Sequence, residues 1–384
     1  MTMPIPLISQ DNAASVLAAA YRKNSGSVSA MHAPCLVLVL PPTWNNRYQT
    51  LLYERAGLHQ CATIGIGNTG VLKNISWPGP IVLHAHWFSS YFNNSRDEVE
   101  ANSLLDDLCE DIALFRQRTG AKLLWTAHNV FPHDNRFPSV FMRLRQWIFE
   151  EFDAVHVMHE DHVSILEHAF SRSSPPSFVV PHMIYSGSYP DGVSKDVARN
   201  YYGIPLNDFV YGYFGSIQSY KNLDYFLTSF SSLCKKTDGF ISVLIGGIPS
   251  DPDAVVSLKN KWGANPNVRL LMRNIPDHEI QYIHRASDAM VLPYGETLNS
   301  GAAFMAAGFD MPFIMPFCSA SKSLLDLGAV CYDQSSEGAL VSAMSDVLGG
   351  YKGKVVSGYK DQLRSFSVSE QFFGNLLSLF SNDA

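Results

Sequence analysis

The feature that most constrains the fold is an alternation, repeated along most of the chain, of short apolar runs with longer amphipathic stretches. Strands that alternate with helices in this way form parallel α/β sheets. Because the runs are almost continuously apolar, they indicate sheets covered by helices on both faces. The predicted strands are 35–40, 62–66, 81–84, 123–126, 154–158, 178–180, 209–214, 241–245, 268–272, 289–292, 313–315 and 330–332. The predicted helices include 48–56, 99–119, 140–151, 161–169, 223–235, 253–262, 277–285, 300–307 and 338–348.

The length of the chain indicates more than one domain. At 384 residues it exceeds what one ordinary core holds. A stretch rich in Ser, Gly and Pro at 185–191 marks the expected linker. We predict two tandem Rossmann-like, doubly wound domains, 1–187 and 188–366, with a cleft between them and a helical segment at 367–384. Ligands of such sheets bind beyond the carboxyl ends of the strands.

Composition excludes several classes of protein. The net charge of -7 argues against a nucleic-acid binder, which would show a basic field. No run approaches 18 apolar residues, and no signal-peptide pattern is evident, so neither a membrane span nor secretion is expected. Six scattered cysteines without a CxxC pair favour reduced thiols in the cytoplasm. We expect no cofactor and no metal, because the chain offers no HxxxH on a helix and no paired cysteines.

The first motif that carries chemistry follows a strand at the start of the second half. It reads "YFGSIQSYKNLDYFLTSF", residues 213–230. Gly215 ends the strand and permits a close backbone approach to a ligand. Lys221 and Asn222 stand at the start of the next helix, where a lysine provides a point charge for a phosphate. The alternative is a solvated lysine in a helix's first turn.

The second motif opens a helix made of small residues. It reads "LPYGETLNSGAAFMAAG", residues 292–308. Asn299 and Ser300 are capping residue types, and Gly301 leaves the first amides open to an anion. Glu296 lies on the same loop, and a carboxylate there would accept hydrogen bonds from sugar hydroxyls. A diphosphate cradle beside such an acceptor indicates a nucleotide-sugar pocket; a capped helix with a surface glutamate is the alternative.

Histidines recur at the ends of strands in the first half. Because successive parallel strands end at one edge of a sheet, these side chains are expected to converge there. His128 is the first candidate for a polar contact or a proton-transfer role. His162 is expected on the solvated face of its helix. The strand-end histidines are His84, His86, His128, His159 and His182.

These motifs together resemble the GT-B-fold glycosyltransferases, in particular the clan of the bacterial family 4 enzymes and a subgroup that assembles exopolysaccharides and capsules. The resemblance covers roughly residues 35–350 and includes "TAHN", "GSIQSYKN" and "NSGAAFMAAGFDMPFI". It implies that Lys221 contacts the donor diphosphate, that Glu296 and His128 contact the donor sugar, and that amides near Asn299–Gly301 hold phosphate oxygens. It also implies that the segment 367–384 crosses back to the N-terminal domain.

The sequence departs from the family pattern at three places. Ser216 stands where an arginine usually grips phosphate, and Phe304 stands where a glutamate usually holds the ribose. The N-terminal Gly-Gly loop is replaced by "PPTWNNRYQ". Arg273 and Tyr294 are hypothetical replacements for the missing contacts.

The resemblance implies a metal-independent hexosyltransferase. It would move a hexose from a GDP- or UDP-sugar to a glycan or a polyprenyl-diphosphate-linked saccharide in bacterial polysaccharide biosynthesis. If the anomeric configuration inverts, a general base is needed, and Asp134 is the first candidate, followed by His128 and Glu160. If it is retained, none is needed. The alternatives are a nucleotide-sugar 2-epimerase on the same fold and a noncatalytic nucleotide-sugar-binding protein.

A lipid-linked acceptor would require contact with a membrane. The stretch 136–149, "RFPSVFMRLRQWIF", combines arginines with aromatic and aliphatic residues. It is typical of a helix that lies on an anionic surface, which would place the protein peripherally at the inner face of the plasma membrane. The alternative is a helix packed on its own sheet with arginines outward.

Overall fold

The computed structural model describes residues 5–9, 11–25, 33–43, 46–133, 135–237, 239–295 and 297–381. The chain divides into two compact units. The first unit comprises Met1–Met183 and Ser365–Ala384, and the second unit comprises Ile184–Arg364. These boundaries lie a few residues before the expected ones at 187 and 366.

The first unit is built on a parallel sheet with the strand order β1-β3-β2-β4-β5-β6-β7. Its strands are β1 Leu7–Ile8, β2 Cys35–Leu40, β3 Cys61–Ile66, β4 Ile81–Ala85, β5 Lys122–Thr126, β6 Ala154–Val157 and β7 Ser177–Val179. Its helices are α1 Ala13–Ser25, α2 Arg47–Leu52, α3 Ser89–Phe92, α4 Glu98–Thr119, α5 Pro138–Glu151, α6 Asp161–Phe170 and α15 Ser365–Ser378. All residues of β2 and β4 are buried, as expected for a sheet with both faces covered.

Local sequence explains where the longest helix of this unit begins and ends. Asp97 caps α4, its carboxylate accepting a hydrogen bond from the Glu100 N–H over 2.9 Å. The helix ends at Gly120, which adopts a left-handed conformation that only glycine takes without strain. Its buried face repeats at helical spacing through Ala101, Leu105, Leu108, Ile112 and Phe115.

The C-terminal helix α15 completes the first unit although it follows the second unit in sequence. Phe372, Phe373 and Leu376 are fully buried. The Ser369 hydroxyl donates to the Leu52 carbonyl over 2.7 Å and accepts from the Arg55 N–H over 3.1 Å. Helix α15 is therefore part of the core of the first unit.

The second unit is built on a parallel sheet with the strand order β10-β9-β8-β11-β12-β13. Its strands are β8 Phe209–Phe214, β9 Ile241–Gly247, β10 Val268–Met272, β11 Ala289–Val291, β12 Phe313–Pro316 and β13 Ala329–Tyr332. Its helices are α7 Lys195–Tyr202, α8 Leu223–Cys234, α9 Pro252–Trp262, α10 Asp277–Ala286, α11 Gly301–Gly308, α12 Ser319–Lys322, α13 Ala339–Leu348 and α14 Tyr359–Gln362. The direction of winding reverses between β8 and β11, which creates a topological switch point.

The predicted fold class is confirmed, and each predicted strand is present. The one strand of the described residues that was not expected is β1, two residues that pair with β3. Across the described ranges, the helices are too short or too polar to span a bilayer. None of the six cysteines forms a disulfide. The cleft between the domains stays a prediction.

Candidate active site

Lys221 lies at the switch point of the second unit. It ends a short 3-10 turn, Ser219–Lys221, that follows β8. Its ammonium lies 3.9 Å from the ring centroid of Tyr294 and 4.7 Å from that of Tyr220, which is cation–π geometry. No described carboxylate pairs with it. Burial disfavours the charged form and lowers the pKa of Lys221 to about 8. The site therefore holds a partly desolvated cation in contact with two aromatic rings.

Next to Lys221, a hydrogen bond links the loop after β8 to the loop after β11. The Asn222 side-chain amide donates to the Pro293 carbonyl over 3.3 Å, and Asn222 itself adopts a left-handed conformation at the start of α8. Tyr294 is buried and bonds through its hydroxyl to the Ser300 hydroxyl. This pair connects the aromatic contact of Lys221 to the start of α11.

The N-terminus of α11 is capped by Ser300, whose hydroxyl accepts from the Ala303 N–H over 3.3 Å. Asn299 lies outside the helix, and its carbonyl accepts a hydrogen bond from the Thr297 hydroxyl over 2.6 Å. Gly301 begins the helix, and a side chain there would first meet the Tyr185 hydroxyl at 3.7 Å. The small residues thus leave the positive end of the helix dipole approachable.

In the first unit, six side chains from β4, β5 and β6, from the residues just after β4 and β5, and from the segment after α2 form a continuous line of hydrogen bonds. We call this line the histidine chain; its members are Tyr53, His84, His86, Thr126, His128 and His156. The Tyr53 hydroxyl bonds to His84 Nδ1 over 2.6 Å and to His86 Nε2 over 2.7 Å. His86 Nδ1 bonds to His128 Nε2 over 2.9 Å, so the chain reaches the histidine that the sequence singled out.

From His84 the histidine chain also extends away from His128, into the core of the first unit. His84 Nε2 bonds to the Thr126 hydroxyl over 2.6 Å, and that hydroxyl bonds to His156 Nδ1 over 2.9 Å. The last link joins His156 Nε2 to the Val180 carbonyl over 2.9 Å. Burial lowers the pKa of every histidine in the chain, and that of His156 falls to about 4. All four are therefore neutral at physiological pH.

Aromatic rings hold His128 in place at the end of this chain. Trp87 stacks on its ring with centroids 3.8 Å apart, and Tyr48 meets it edge-on at 5.0 Å. Tyr48 also lies 5.0 Å from His182, whose Nδ1 donates to the Met183 carbonyl over 2.7 Å. The strand-end histidines of β4 and β5 thus meet, together with His182, at one edge of the sheet.

Part of the chain is similar in sequence to known glycosyltransferases. Residues 194–298 match the family model described as glycosyl transferases group 1. The matched residues lie within the second unit, Ile184–Arg364. A curated relative, GDP-mannose:glycolipid 4-beta-D-mannosyltransferase of Xanthomonas campestris pv. campestris, is 23% identical over 271 residues, 69% of this chain and 70% of that protein.

Solved glycosyltransferase structures share the fold. Sucrose-phosphate synthase from Thermosynechococcus elongatus superposes with a TM-score of 0.67 at 13% identity, over 91% of this chain and 100% of that one. Anabaena HepE in complex with UDP-glucose superposes with a TM-score of 0.64 at 11% identity, over 90% and 99%. These likenesses establish the GT-B fold, and the family match supports a transferase. The narrower assignment to the family 4 clan remains a prediction.

Two of the predicted site residues, Asp134 and Glu296, lie outside the described residues. Arg273, a hypothetical replacement for the missing ribose and phosphate contacts, directly follows β10 and pairs with Glu279 at the start of α10. Tyr202 donates to the same carboxylate over 3.1 Å. The described contacts of Arg273 therefore do not include Lys221 or Tyr294. Its role in the donor site stays a prediction.

His162 is not on a solvated face, so that expectation is wrong. It is buried together with Leu166 and Phe170, which follow at intervals of four and form the inner face of α6. Its ring centroid lies 5.8 Å from that of His159, and burial lowers its pKa to about 4. Glu160, a candidate base, is exposed and directly precedes the helix.

The helix expected to contact a membrane turns its apolar residues inward. Phe141, Leu144 and Ile148 of α5 are fully buried in the first unit. Arg145 is buried too, with its Nε donating to the Val130 carbonyl over 3.2 Å and its guanidinium over the Trp125 ring. The exposed arginines of this stretch, which could contact an anionic surface, are Arg136 and Arg143. Arg143 pairs with Asp106 on α4. Membrane contact stays a prediction.

Gly247 of the second unit, which supports the loop before Lys221, was not among the residues that the sequence pointed to. A Cβ at Gly247, the last residue of β9, would lie 1.6 Å from the Gly215 carbonyl oxygen. The Gly215 N–H donates to the neighbouring Gly246 carbonyl over 3.1 Å. The doubled glycine after a strand was the available signal.

Gly247→Ala is expected to push the turn at Gly215 away and to weaken nucleotide binding at least tenfold. The overpacking should also cost about 1–3 kcal/mol of the free energy of unfolding. Gly192→Ala is the matched control, because a Cβ there meets nothing within 4 Å. Calorimetric titration with the nucleotide and urea denaturation measure the two effects. Equal affinities in both variants would show that the turn does not shape the site.

Proposed function

We propose that the protein is a hexosyltransferase that moves a hexose from a nucleotide-diphosphate sugar to a saccharide acceptor carried on a lipid, within bacterial polysaccharide biosynthesis. The observation that carries this proposal is the Lys221 ammonium, held by two tyrosine rings at the switch point and linked through Tyr294 and Ser300 to the N-terminus of α11. Nucleotide phosphates bind at such points in doubly wound sheets.

The leaving group explains why these features occur together. Breaking the bond to the anomeric carbon leaves a nucleoside diphosphate with additional negative charge. A preorganised ammonium and the amide end of a helix stabilise that charge without reorganising water. Lys221, Asn222 and Gly215 would shape the phosphate side, and Asn299, Ser300 and Gly301 would provide the helix end. We propose that no metal takes part.

In the first unit, His128 would accept a hydrogen bond from a substrate hydroxyl. Glu296 would bind hydroxyls of the donor sugar, and Asp134 would serve as general base if the configuration inverts. The Xanthomonas relative acts on a glycolipid, which makes a lipid-linked acceptor the first to test. Such an acceptor would place the protein in the cytoplasm, at the inner face of the membrane.

The proposed lysine makes donor affinity depend on pH. Below pH 8 Lys221 is already charged in the nucleotide-free protein, because its pKa is about 8. A bound diphosphate favours the charged form and raises that pKa, so above pH 8 binding must take up a proton. The nucleotide Kd is therefore expected to be flat below pH 7.5 and to rise up to tenfold per pH unit above 8. Calorimetry in buffers of different ionisation enthalpy measures the uptake. Lys221→Arg should remove the slope, and an unchanged slope would assign it to another group.

A donor screen tests the function directly. Thermal shift with GDP, UDP, GDP-mannose and UDP-glucose should show one base that stabilises the protein, since a ligand at 100 times its Kd adds about 2.7 kcal/mol. Radiolabelled sugar should then pass to a lipid-linked saccharide, with and without EDTA. Donor conversion without any acceptor would indicate an epimerase. Binding without turnover on any acceptor would indicate a noncatalytic protein, and loss of activity in EDTA would overturn metal independence.

A further inference from the structure

The histidine chain has a direction that its chemistry dictates. Each member is both a donor and an acceptor, so one end decides the polarity of all the bonds. That end is the Val180 carbonyl, which can only accept. His156 Nε2 must therefore carry a hydrogen, and its Nδ1 must accept from the Thr126 hydroxyl.

The polarity of the Thr126 bond fixes the polarity of the next bonds outward. Because the Thr126 hydroxyl donates to His156, it accepts from His84 Nε2, which leaves the lone pair of His84 on Nδ1. The Tyr53 hydroxyl then donates its single hydrogen to His84 Nδ1 and accepts from His86 Nε2.

The last bond joins the two histidines at the edge of the sheet. With its hydrogen on Nε2, His86 has its lone pair on Nδ1, which must accept from His128 Nε2. The opposite polarity would place the lone pair of His156 Nε2 against the Val180 carbonyl at 2.9 Å, which is repulsive. All four histidines of the chain are thus held as Nε2–H tautomers.

We infer that the Val180 carbonyl, at the buried end of the histidine chain, fixes His128 as its Nε2–H tautomer and leaves the lone pair on Nδ1. Tyr53, His84, His86, Thr126 and His156 are then positioning residues that act through one another. The chain is not an outlet for protons, because it ends at a carbonyl that cannot take one. It is enclosed by Phe372, which stacks on His84 at 5.2 Å, and by Phe178, which stacks on His156 at 5.4 Å.

The consequence for chemistry is that His128 can accept a hydrogen bond or a proton through Nδ1 but cannot donate one there. This consequence rests on the proposed function, in which a substrate hydroxyl is the donor. The tautomer itself does not depend on that function, and it can be measured in the protein without any substrate.

Two-bond ¹H–¹⁵N correlation spectra of protein labelled in its histidines test the inference. In the wild type, His84, His86, His128 and His156 are all expected as Nε2–H tautomers, with His128 assigned by comparison with His128→Gln. A wild-type His128 protonated on Nδ1 would overturn the inference.

Substitution of Thr126 tests whether the tautomer is set from a distance, because the Thr126 hydroxyl bonds to His84 and His156 and reaches His128 only through them. Thr126→Val removes the hydroxyl, so the Val180 carbonyl no longer sets the polarity of the outer bonds. The three outer bonds, Tyr53–His84, Tyr53–His86 and His86–His128, can then form with either polarity. His128 is then expected as a mixture of both tautomers, with kcat reduced about twofold as the competent fraction halves. Thr126→Ser keeps the hydroxyl and should restore the wild-type spectrum.

A pure Nε2–H spectrum in Thr126→Val would overturn the inference. If Thr126→Val does not fold, Tyr53→Phe separates the two outer histidines from the anchor and should give the same mixture. Tyr211→Phe is the control for that change, since Tyr211 is also a buried tyrosine and its hydroxyl donates to the Met344 carbonyl of the second unit. Wild-type tautomers without any transferase activity would leave the inference standing and reject only the proposed function.

Discussion

Lys221→Met is expected to lower kcat/KM for the donor by about 10²- to 10³-fold, the usual loss when one preorganised charge-stabilising group is removed. Methionine keeps the apolar stem and most of the length of the side chain, while the charge and its cation–π contacts with Tyr220 and Tyr294 are lost. Part of the effect should fall on KM, because the ammonium also binds the ground-state diphosphate, and part on kcat, because the charge of the leaving diphosphate is greatest in the transition state. Steady-state kinetics with the donor found by the screen measure it.

Lys235→Met is the matched control for this change. Lys235 is exposed at the other end of α8, so its loss removes the same charge from the same helix. It should leave kcat/KM unchanged within about twofold. If Lys221→Met also left kcat/KM unchanged, the donor phosphate would have to bind elsewhere, and the proposed site would be rejected.

Phe372→Ala is expected to lower the free energy of unfolding of the first unit by about 3–5 kcal/mol. The side chain is fully buried, and its ring packs against His84, His156, Phe178, Tyr53 and Phe373. Truncation leaves a cavity above the histidine chain. Urea denaturation followed by tryptophan fluorescence reports mainly on this unit, because Trp262 is the one tryptophan of the second unit.

Phe366→Ala, in the same helix, provides the comparison. Phe366 is 43% exposed, and its ring lies 5.6 Å from the Arg55 guanidinium. Its loss should cost less than about 1 kcal/mol. Equal losses at Phe366 and Phe372 would mean that α15 adds helix content but no specific packing to the first unit.

The sequence predicted the strands well because each carries its own signal. Continuous apolar runs such as that of β2 are buried on both faces, and local pattern is enough to locate them. Strand β1 was missed for the converse reason, since two residues, Leu7 and Ile8, are too few to show a period. Helix α11 was predicted at 300–307 and spans Gly301–Gly308, because its capping serine marks the start.

The candidate site was predictable in its residue types but not in its connections. His128 and Lys221 stand at strand ends, where the rule for doubly wound sheets places ligands. The bonds of the histidine chain, however, join Tyr53 to His84 and Thr126 to His156, across about thirty residues each. Tyr294 was predicted as a hypothetical replacement for the missing ribose and phosphate contacts, which stays a prediction, and the structure adds its ring contact with the Lys221 ammonium. Such pairings depend on packing between elements, which one sequence does not reveal.

The return of α15 to the first unit has a consequence for how the molecule is made. The second unit is an insertion whose two ends lie together, with the Ile184 N–H donating to the Leu363 carbonyl over 2.9 Å. A ribosome translates all of it before it reaches α15. Domains tend to fold as they emerge, yet here the unit translated first must wait for its last helix. Nascent chains will therefore contain a folded second unit while the first unit still lacks α15. During that time the histidine chain of the first unit is accessible to water and to chaperones.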